Sequence, residues 1–363
     1  MKAKLLLIIP GLCLPVISYS QSELANSITT EARLRVDARH RQTTIDSSGT
    51  ETTSEYTGLE IQSMELIVKG KYTPRTSFAV NIKGEQANVK NNEPLRSGNN
   101  AFKFFKINHK ITDSLNLVFG KIHVRRGAYS AQTPKFHTYR FDSIMAYLPA
   151  KFQTGAGLVY KFSSHNMNLQ FLNGDNNKLE SSDQQTGEDL SYQLQIDSNW
   201  GLFNTRLNGG ISNYARDSGE TLTAKRRSQT NTSIGISYPV VNYYLNLDYV
   251  VANIPSYQSL STTDDGTESL VDQSQVTRDS MILMVGTKKG EWQPKAKIAL
   301  MTEKTEGSDS LSKMDANLGI EYHPDSDQSM RYSIMYIIGE NENTSSKTTT
   351  EQDILISLSS HLK

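Results

Sequence analysis

From Ser27 onward, hydrophobic and polar residues change places at nearly every step. Ile28, Thr30, Ala32, Leu34, Val36 and Ala38 share one parity, and Glu31, Arg33, Arg35, Asp37, Arg39 and Arg41 share the other. Successive side chains of an extended backbone project to opposite sides, so this alternation reads as a strand with one greasy and one charged face. The pattern returns with Val241, Tyr243, Leu245, Leu247 and Tyr249 against Asn242, Asn246 and Asp248. It returns again with Met330, Tyr332, Ile334, Tyr336 and Ile338 against Arg331 and Ser333. No sustained helical period interrupts it.

Such runs predict strands over 27–43, 57–72, 77–88, 100–110, 115–124, 150–162, 166–173, 188–198, 202–213, 229–238, 241–252, 276–287, 291–302, 314–322, 329–339 and 351–362, sixteen in all. Two of them break phase, one near Ser63 and one near Gly120, and a β-bulge accounts for a break of that kind.

Alternation alone suits a soluble sandwich as well as a membrane barrel. The connections separate the two. Short ones at 73–76, 111–114, 163–165, 199–201, 239–240, 288–290 and 323–328 carry turn residues such as Pro74, Asp113, Gly201, Pro239, Gly290 and Pro324. They alternate with long ones at 44–56, 89–99, 125–149, 174–187, 214–228, 253–275, 303–313 and 340–350, rich in Ser, Thr, Asn, Asp and Gly. Short periplasmic turns facing long outer loops are the rhythm of an even-stranded outer-membrane barrel. Tyr72, Phe78, Tyr160, Phe162, Trp200, Phe203, Tyr238, Tyr243, Trp292 and Tyr322 all fall beside short turns, as an interfacial aromatic girdle does.

Composition strengthens this reading. Hydrophobic residues make up 36% of the 363-residue chain, and mean hydropathy is −0.50. That is low for a large packed core, but it suits strands whose second face lines a wet lumen. Lys2 and Lys4 precede an apolar stretch from Leu5 to Ile17, broken by Pro10 and Pro15 and followed by Ser18 and Ser20. This layout predicts a secretory signal over residues 1–20, cleaved after Ser20, and a single barrel domain over 21–363. Cys13, the only cysteine, lies inside that signal, which removes disulfides, thiolate metal sites and cysteine catalysis from the mature chain.

Three stretches resemble the phosphate-selective porins of the outer membrane, the porin O/P family: Glu65 to Phe78 (ELIVKGKYTPRTSF), Leu115 to Gly127 (LNLVFGKIHVRRG) and Thr154 to Asn177 (TGAGLVYKFSSHNMNLQFLNGDNN). The resemblance implies a 16-stranded antiparallel transmembrane β-barrel, assembly as a homotrimer, and a third outer loop folded into the pore. The third long connection, 125–149, is also the longest. Two features depart from the family's pattern. Ser63 and Glu65 stand where the family tends to place an arginine pair, and the chain closes on Lys363 instead of an aromatic residue.

Charge is unevenly distributed. Residues 31–151 hold 19 Lys and Arg against 11 Asp and Glu, whereas 152–363 hold 17 against 26. With the odd face of the first strand inward, Arg33, Arg35, Arg39 and Arg41 form a ladder along the lumen. Lys121, Arg125, Arg126, Lys135, Arg140 and Lys151 add positive charge at or beside the loop, near His123 and His137. Fixed cations in a constriction concentrate anions and repel cations. The competing reading has Glu31 and Asp37 neutralising the ladder, with the arginines bracing the wall.

The acidic excess sits in outer connections, at Glu180, Asp183, Asp264, Asp265 and Glu303 among others. It reads as a solvated surface, or as oxygen ligands bridging to lipopolysaccharide through divalent cations. No spacing assigns a metal site. Neither Gly-x-Ser-x-Gly nor His-Glu-x-x-His occurs, and no phosphate-binding glycine loop is present. Basic residues that alternate with apolar ones in strands give no nucleic-acid surface. The expectation is a non-enzymatic, cofactor-free porin of a Gram-negative outer membrane. It would sit in lipid beside lipopolysaccharide and pass small hydrophilic solutes with a weak preference for anions such as phosphate. A structural or adhesion barrel with a plugged lumen, and a barrel hydrolase, are the alternatives.

Overall fold

The computed structural model describes residues 28–84, 102–132, 143–149, 151–173, 190–213, 222, 227–262, 267–308, 310–324, 329–344 and 347–362. The expected signal, 1–20, lies outside the described residues, as do Lys135, His137 and Arg140. In chain order the strands are β1 (Thr29–Ser47), β2 (Thr50–Thr73), β3 (Thr76–Gly84), β4 (Phe102–Lys110), β5 (Leu115–His123), β6 (Phe152–Phe162), β7 (His165–Asn173), β8 (Leu190–Asn199) and β9 (Asn204–Asn213). They continue as β10 (Ser228–Val240), β11 (Tyr243–Ile254), β12 (Tyr257–Thr262), β13 (Glu268–Gln273), β14 (Val276–Thr287), β15 (Trp292–Thr305), β16 (Leu311–Tyr322), β17 (Met330–Thr344) and β18 (Lys347–Leu362).

Sixteen of these strands form one closed antiparallel barrel, each paired with its sequence neighbour, with β1 sealed against β18 and β11 passing directly to β14. Closure leaves no sheet edge in the wall, which is the condition for a strand-built protein to lie in hydrocarbon.

The barrel is inside-out. On the β1–β18 seam, Val36 pairs with Leu358 and Ala38 with Ile356, while Asp37 pairs with Ser357. Ile354, Ile356 and Leu358 are exposed, whereas Asp37 and Ser357 are buried. The same division holds elsewhere: Ile234, Ile236, Leu245 and Leu247 face out, and Asn231 and Asp248 are buried. At the short-turn end the aromatic residues touch one another: Tyr160 stacks on Phe162, and Trp292 lies 4.5 Å from Tyr322, whose ring meets Tyr332. This is a girdle at the height of the lipid headgroups.

The register shifts between Arg35 and Val36, leaving Gln62 as an extra residue beside Ser63, so that phase break is a bulge. The break at Gly120 is not. β5 pairs in continuous register through Gly120, which adopts φ 112°. Its apolar residues on both parities arise because Val118 and Ile122 pack inward with Val124 and Leu172.

Three of the expected long connections are mostly ladder. β1 and β2 meet at Ser48 and Gly49, with φ 53° and 83°, a two-residue turn with the twist of the flanking strands. β17 and β18 pair from Met330 up to Thr344, and β15 with β16 up to Glu303 opposite Leu311. These Thr- and Glu-rich ends lack an apolar parity because no lipid faces them. Crossing the bilayer takes about 9–11 residues, so the 24-residue β2 stands far beyond it. Together β17, β18, β1 and β2 form a parapet on one side of the mouth. The connection 255–275 carries its own hairpin, β12 with β13.

Candidate functional site: the lumen and its inward segment

The connection between β5 and β6 leaves the wall at Val124 and returns at Lys151, whose carbonyl accepts from the Val124 N–H at 2.9 Å. Its described parts hold a helical turn, α1 (Tyr129–Gln132), and a 3-10 turn, Ser143–Tyr147. Ala131, Ile144, Met145 and Leu148 pack in one cluster with Val250, Ala252, Ile282, Ala299 and Met301. Those partners are inward residues of β11, β14 and β15, where the lumen wall is apolar instead of polar. The segment thus buries apolar surface that would otherwise face lumen water.

Polar contacts fix its position. The Ser130 N–H donates to Asp248 Oδ2 at 2.7 Å, and the Arg125 N–H to Gln170 Oε1 at 2.7 Å. Asn208 donates to the Arg125 carbonyl and Gln229 to the Tyr147 carbonyl. Arg206 lies 4.5 Å from the Tyr129 ring centroid, and Arg278 lies 3.9 Å from that of Tyr147. Burial pushes the Tyr129 phenol up to about 12, so the ring beneath Arg206 stays neutral. Burial and the neighbouring Arg206 hold the Arg125 guanidinium below the usual arginine range.

The β1 arginines lie on the inward parity, and each has an acidic partner. Arg33 pairs with Glu31. Arg35 grips Asp37 through two bonds of 2.8 Å, and Ser357 donates to the same carboxylate at 2.6 Å. Arg39 reaches Glu60 at 3.4 Å, and Arg41 reaches Asp353 at 2.9 Å. The ladder is a braced wall over most of its height.

The charge balance differs on the wall from β2 to β7. A cavity of about 410 Å³ is lined there by Arg33, Lys69, Lys103, Lys106, Arg125 and Lys151 together with Glu65, and both Arg33 and Lys69 pair with Glu31. Lys103 bonds Glu65, which also accepts from Asn81 at 2.8 Å. Beside the cations stand Phe104 and Phe152, with ring centroids 5.9 Å apart and planes 25° from parallel.

Of the residues the sequence singled out, the cavity collects Arg33, Arg125 and Lys151. Arg126 turns into the base of the segment, where it donates to the Leu148 and Pro149 carbonyls. Lys121 pairs in register with Phe105 and Thr154, on the parity of the outward Phe119, and donates to the Phe102 carbonyl at 3.1 Å. It is not among the residues that line the cavity.

Lys69, Lys103, Lys106, Phe104 and Phe152 were not singled out. The run Phe102 to Lys106 does not alternate, because the β3–β4 register shifts at Asn81/Ile82 and leaves Lys103 unpaired. A bulge of this kind re-aims a side chain, and here Lys103 reaches the inward Glu65. The broken parity of FKFFK was the only trace of this in the sequence.

No protein-family model matches the chain, and neither does any curated protein. Solved structures do match. The outer membrane channel DcaP of Acinetobacter baumannii aligns with a TM-score of 0.59 at 9% identity, over 92% of this chain and 97% of that one. An anion-selective porin from Comamonas acidovorans gives 0.57 at 11%, over 92% and 99%. The trimer form of OmpT, an outer membrane protein of Vibrio cholerae, gives 0.57 at 11%, over 93% and 99%.

The fold is that of the outer-membrane porins. With its apolar outer band and closed wall, the chain is an integral β-barrel of a Gram-negative outer membrane. At such identities the likeness reaches the porin fold and not the phosphate-selective O/P family.

Proposed function

We propose that the barrel is a passive diffusion porin whose lumen favours small hydrophilic anions, phosphate among them. One observation carries this reading: the β2–β7 wall gathers six cationic side chains against two carboxylates, Glu31 taking Arg33 and Lys69 and Glu65 taking Lys103, while the rest of the β1 ladder is matched charge for charge. Like charges converging in a low-dielectric channel repel one another, and a passing anion relieves that repulsion. The described parts of the 125–149 segment pack against β11, β14 and β15, a different stretch of wall from the one that carries these cations. The anion-selective description of the Comamonas acidovorans porin supports the reading through fold alone.

The assembly proposed is a homotrimer set among lipid and lipopolysaccharide, in keeping with the family resemblance and with the trimer form of OmpT. The chemistry is diffusion, with no cofactor and no catalytic residue. Planar bilayers holding the purified barrel between unequal KCl solutions test this. Stepwise conductance with a reversal potential of the sign for chloride preference is expected. Potassium preference, or no open channel, overturns it.

A further inference from the structure

We infer that the cationic cavity is built for aromatic carboxylates, the ring resting against Phe104 and Phe152 and the carboxylate among the ammonium groups. The inference deepens the anion reading and rests on it.

Phenyl rings are out of place on the inner wall of a water-filled lumen. Where β11, β14 and β15 turn apolar side chains inward, the 125–149 segment covers them. Phe104 and Phe152 stand outside that cluster, with the His123 ring edge-on to Phe152 at 5.3 Å. Both line the cavity and remain half-buried, so apolar ring surface stays open to whatever enters. Their near-parallel planes form one flat aromatic wall, a preferred arrangement for ring pairs that a third ring can extend.

The charges are set beside that wall. Lys106 Nζ lies 5.8 Å from the Phe104 centroid, and Lys103 Nζ lies 5.8 Å from that of Phe152. Lys103 is held by Glu65, and Lys106 of β4 converges with Arg125 and Lys151 from the two ends of the β5–β6 connection. A solute with a flat ring on one end and a carboxylate on the other meets a complementary surface at both ends. An aliphatic anion uses only the charges, and a neutral ring uses only the phenyls. At about 410 Å³ the cavity is also of small-molecule size.

The test compares benzoate, acetate and benzyl alcohol on the full barrel. Each is titrated against single-channel chloride current, and in parallel by calorimetry on the detergent-solubilised protein, which needs no open channel. Benzoate is expected to bind about tenfold more tightly than acetate, the advantage of one added aromatic contact, and benzyl alcohol to have no measurable effect. Phe104→Leu together with Phe152→Leu keeps apolar bulk but removes the rings, and should bring the benzoate-to-acetate ratio to about one. Equal binding of benzoate and acetate overturns the inference, as does a ratio unchanged in the leucine variant, or benzyl alcohol matching benzoate. A chloride-preferring reversal potential with equal benzoate and acetate binding sinks only this inference; potassium preference sinks the anion reading beneath it.

Discussion

Arg278 holds Tyr147 and Glu303 at once, its guanidinium carbon 3.9 Å from the ring centroid and its Nε 2.7 Å from the carboxylate. One wall residue thereby ties the inward segment to β14 and β15. Tyr147→Leu removes the stacking, which is worth about 0.5–2 kcal/mol. The expected result is a noisier open-channel current and faster tryptic cleavage within 125–149, while the barrel stays folded on unheated gels. Unchanged noise and cleavage would show that the stacking does not seat the segment.

Ile282 is fully buried where the wall meets Ile144 and Met145. Ile282→Asn puts an unpaired amide there, at about 1–3 kcal/mol. The wall's own ladder is untouched, so the loss falls on the segment, and mean single-channel conductance should rise.

Arg35 and Asp37 are both buried and paired with each other. Asp37→Ala strands a guanidinium in the wall and should cost about 3–5 kcal/mol. Replacing both residues by leucine should recover most of it. The temperature at which the folded gel band gives way to the unfolded one reads both effects, and the pair behaves as a brace only if the double variant outlasts the single one.

Ile356 faces out and Ser357 faces in. Arginine at Ile356 meets lipid and should destabilise the barrel by about 2–4 kcal/mol near the bilayer midplane, measured by urea unfolding in liposomes. Arginine at Asn108, partly buried and inward on β4 where it lines the cavity, should cost less by the same measurement. The reverse order would invert the assignment of faces.

Gly120 combines φ 112° with a backbone in which a Cβ would press on the Phe105 carbonyl. Gly120→Ala should cost about 1–3 kcal/mol in strain, seen as a lower urea midpoint. An unchanged midpoint would mean that the strand relaxes without loss.

The barrel was legible because lipid on one side and water on the other enforce alternation wherever the wall crosses the membrane. Leu34 beside Arg35, and Leu358 beside Ser357, state the two solvents directly. Above the lipid that contrast ends, so the ladders through Thr52, Thr53, Thr349 and Thr350 look like loop. The arginines of β1 were legible by parity. Their partners Glu60 and Asp353 were not, since register across a seam depends on a bulge at Gln62 and on which strands close the circle. Lys103 and Lys106 were obscured in the same way by the bulge in β4. Ile144, Met145 and Leu148 carried a readable signal, an apolar cluster in an outer connection, but not the wall that receives it.

The parapet of β17, β18, β1 and β2 carries the paired wall past the lipid on one side of the entrance. A solute drifting along the cell surface meets a hydrogen-bonded screen on that side before the pore wall acts. Because the screen is woven strand to strand and folds back at Ser48 and Gly49 in only two residues, it gives a secreted protease little slack chain to grip.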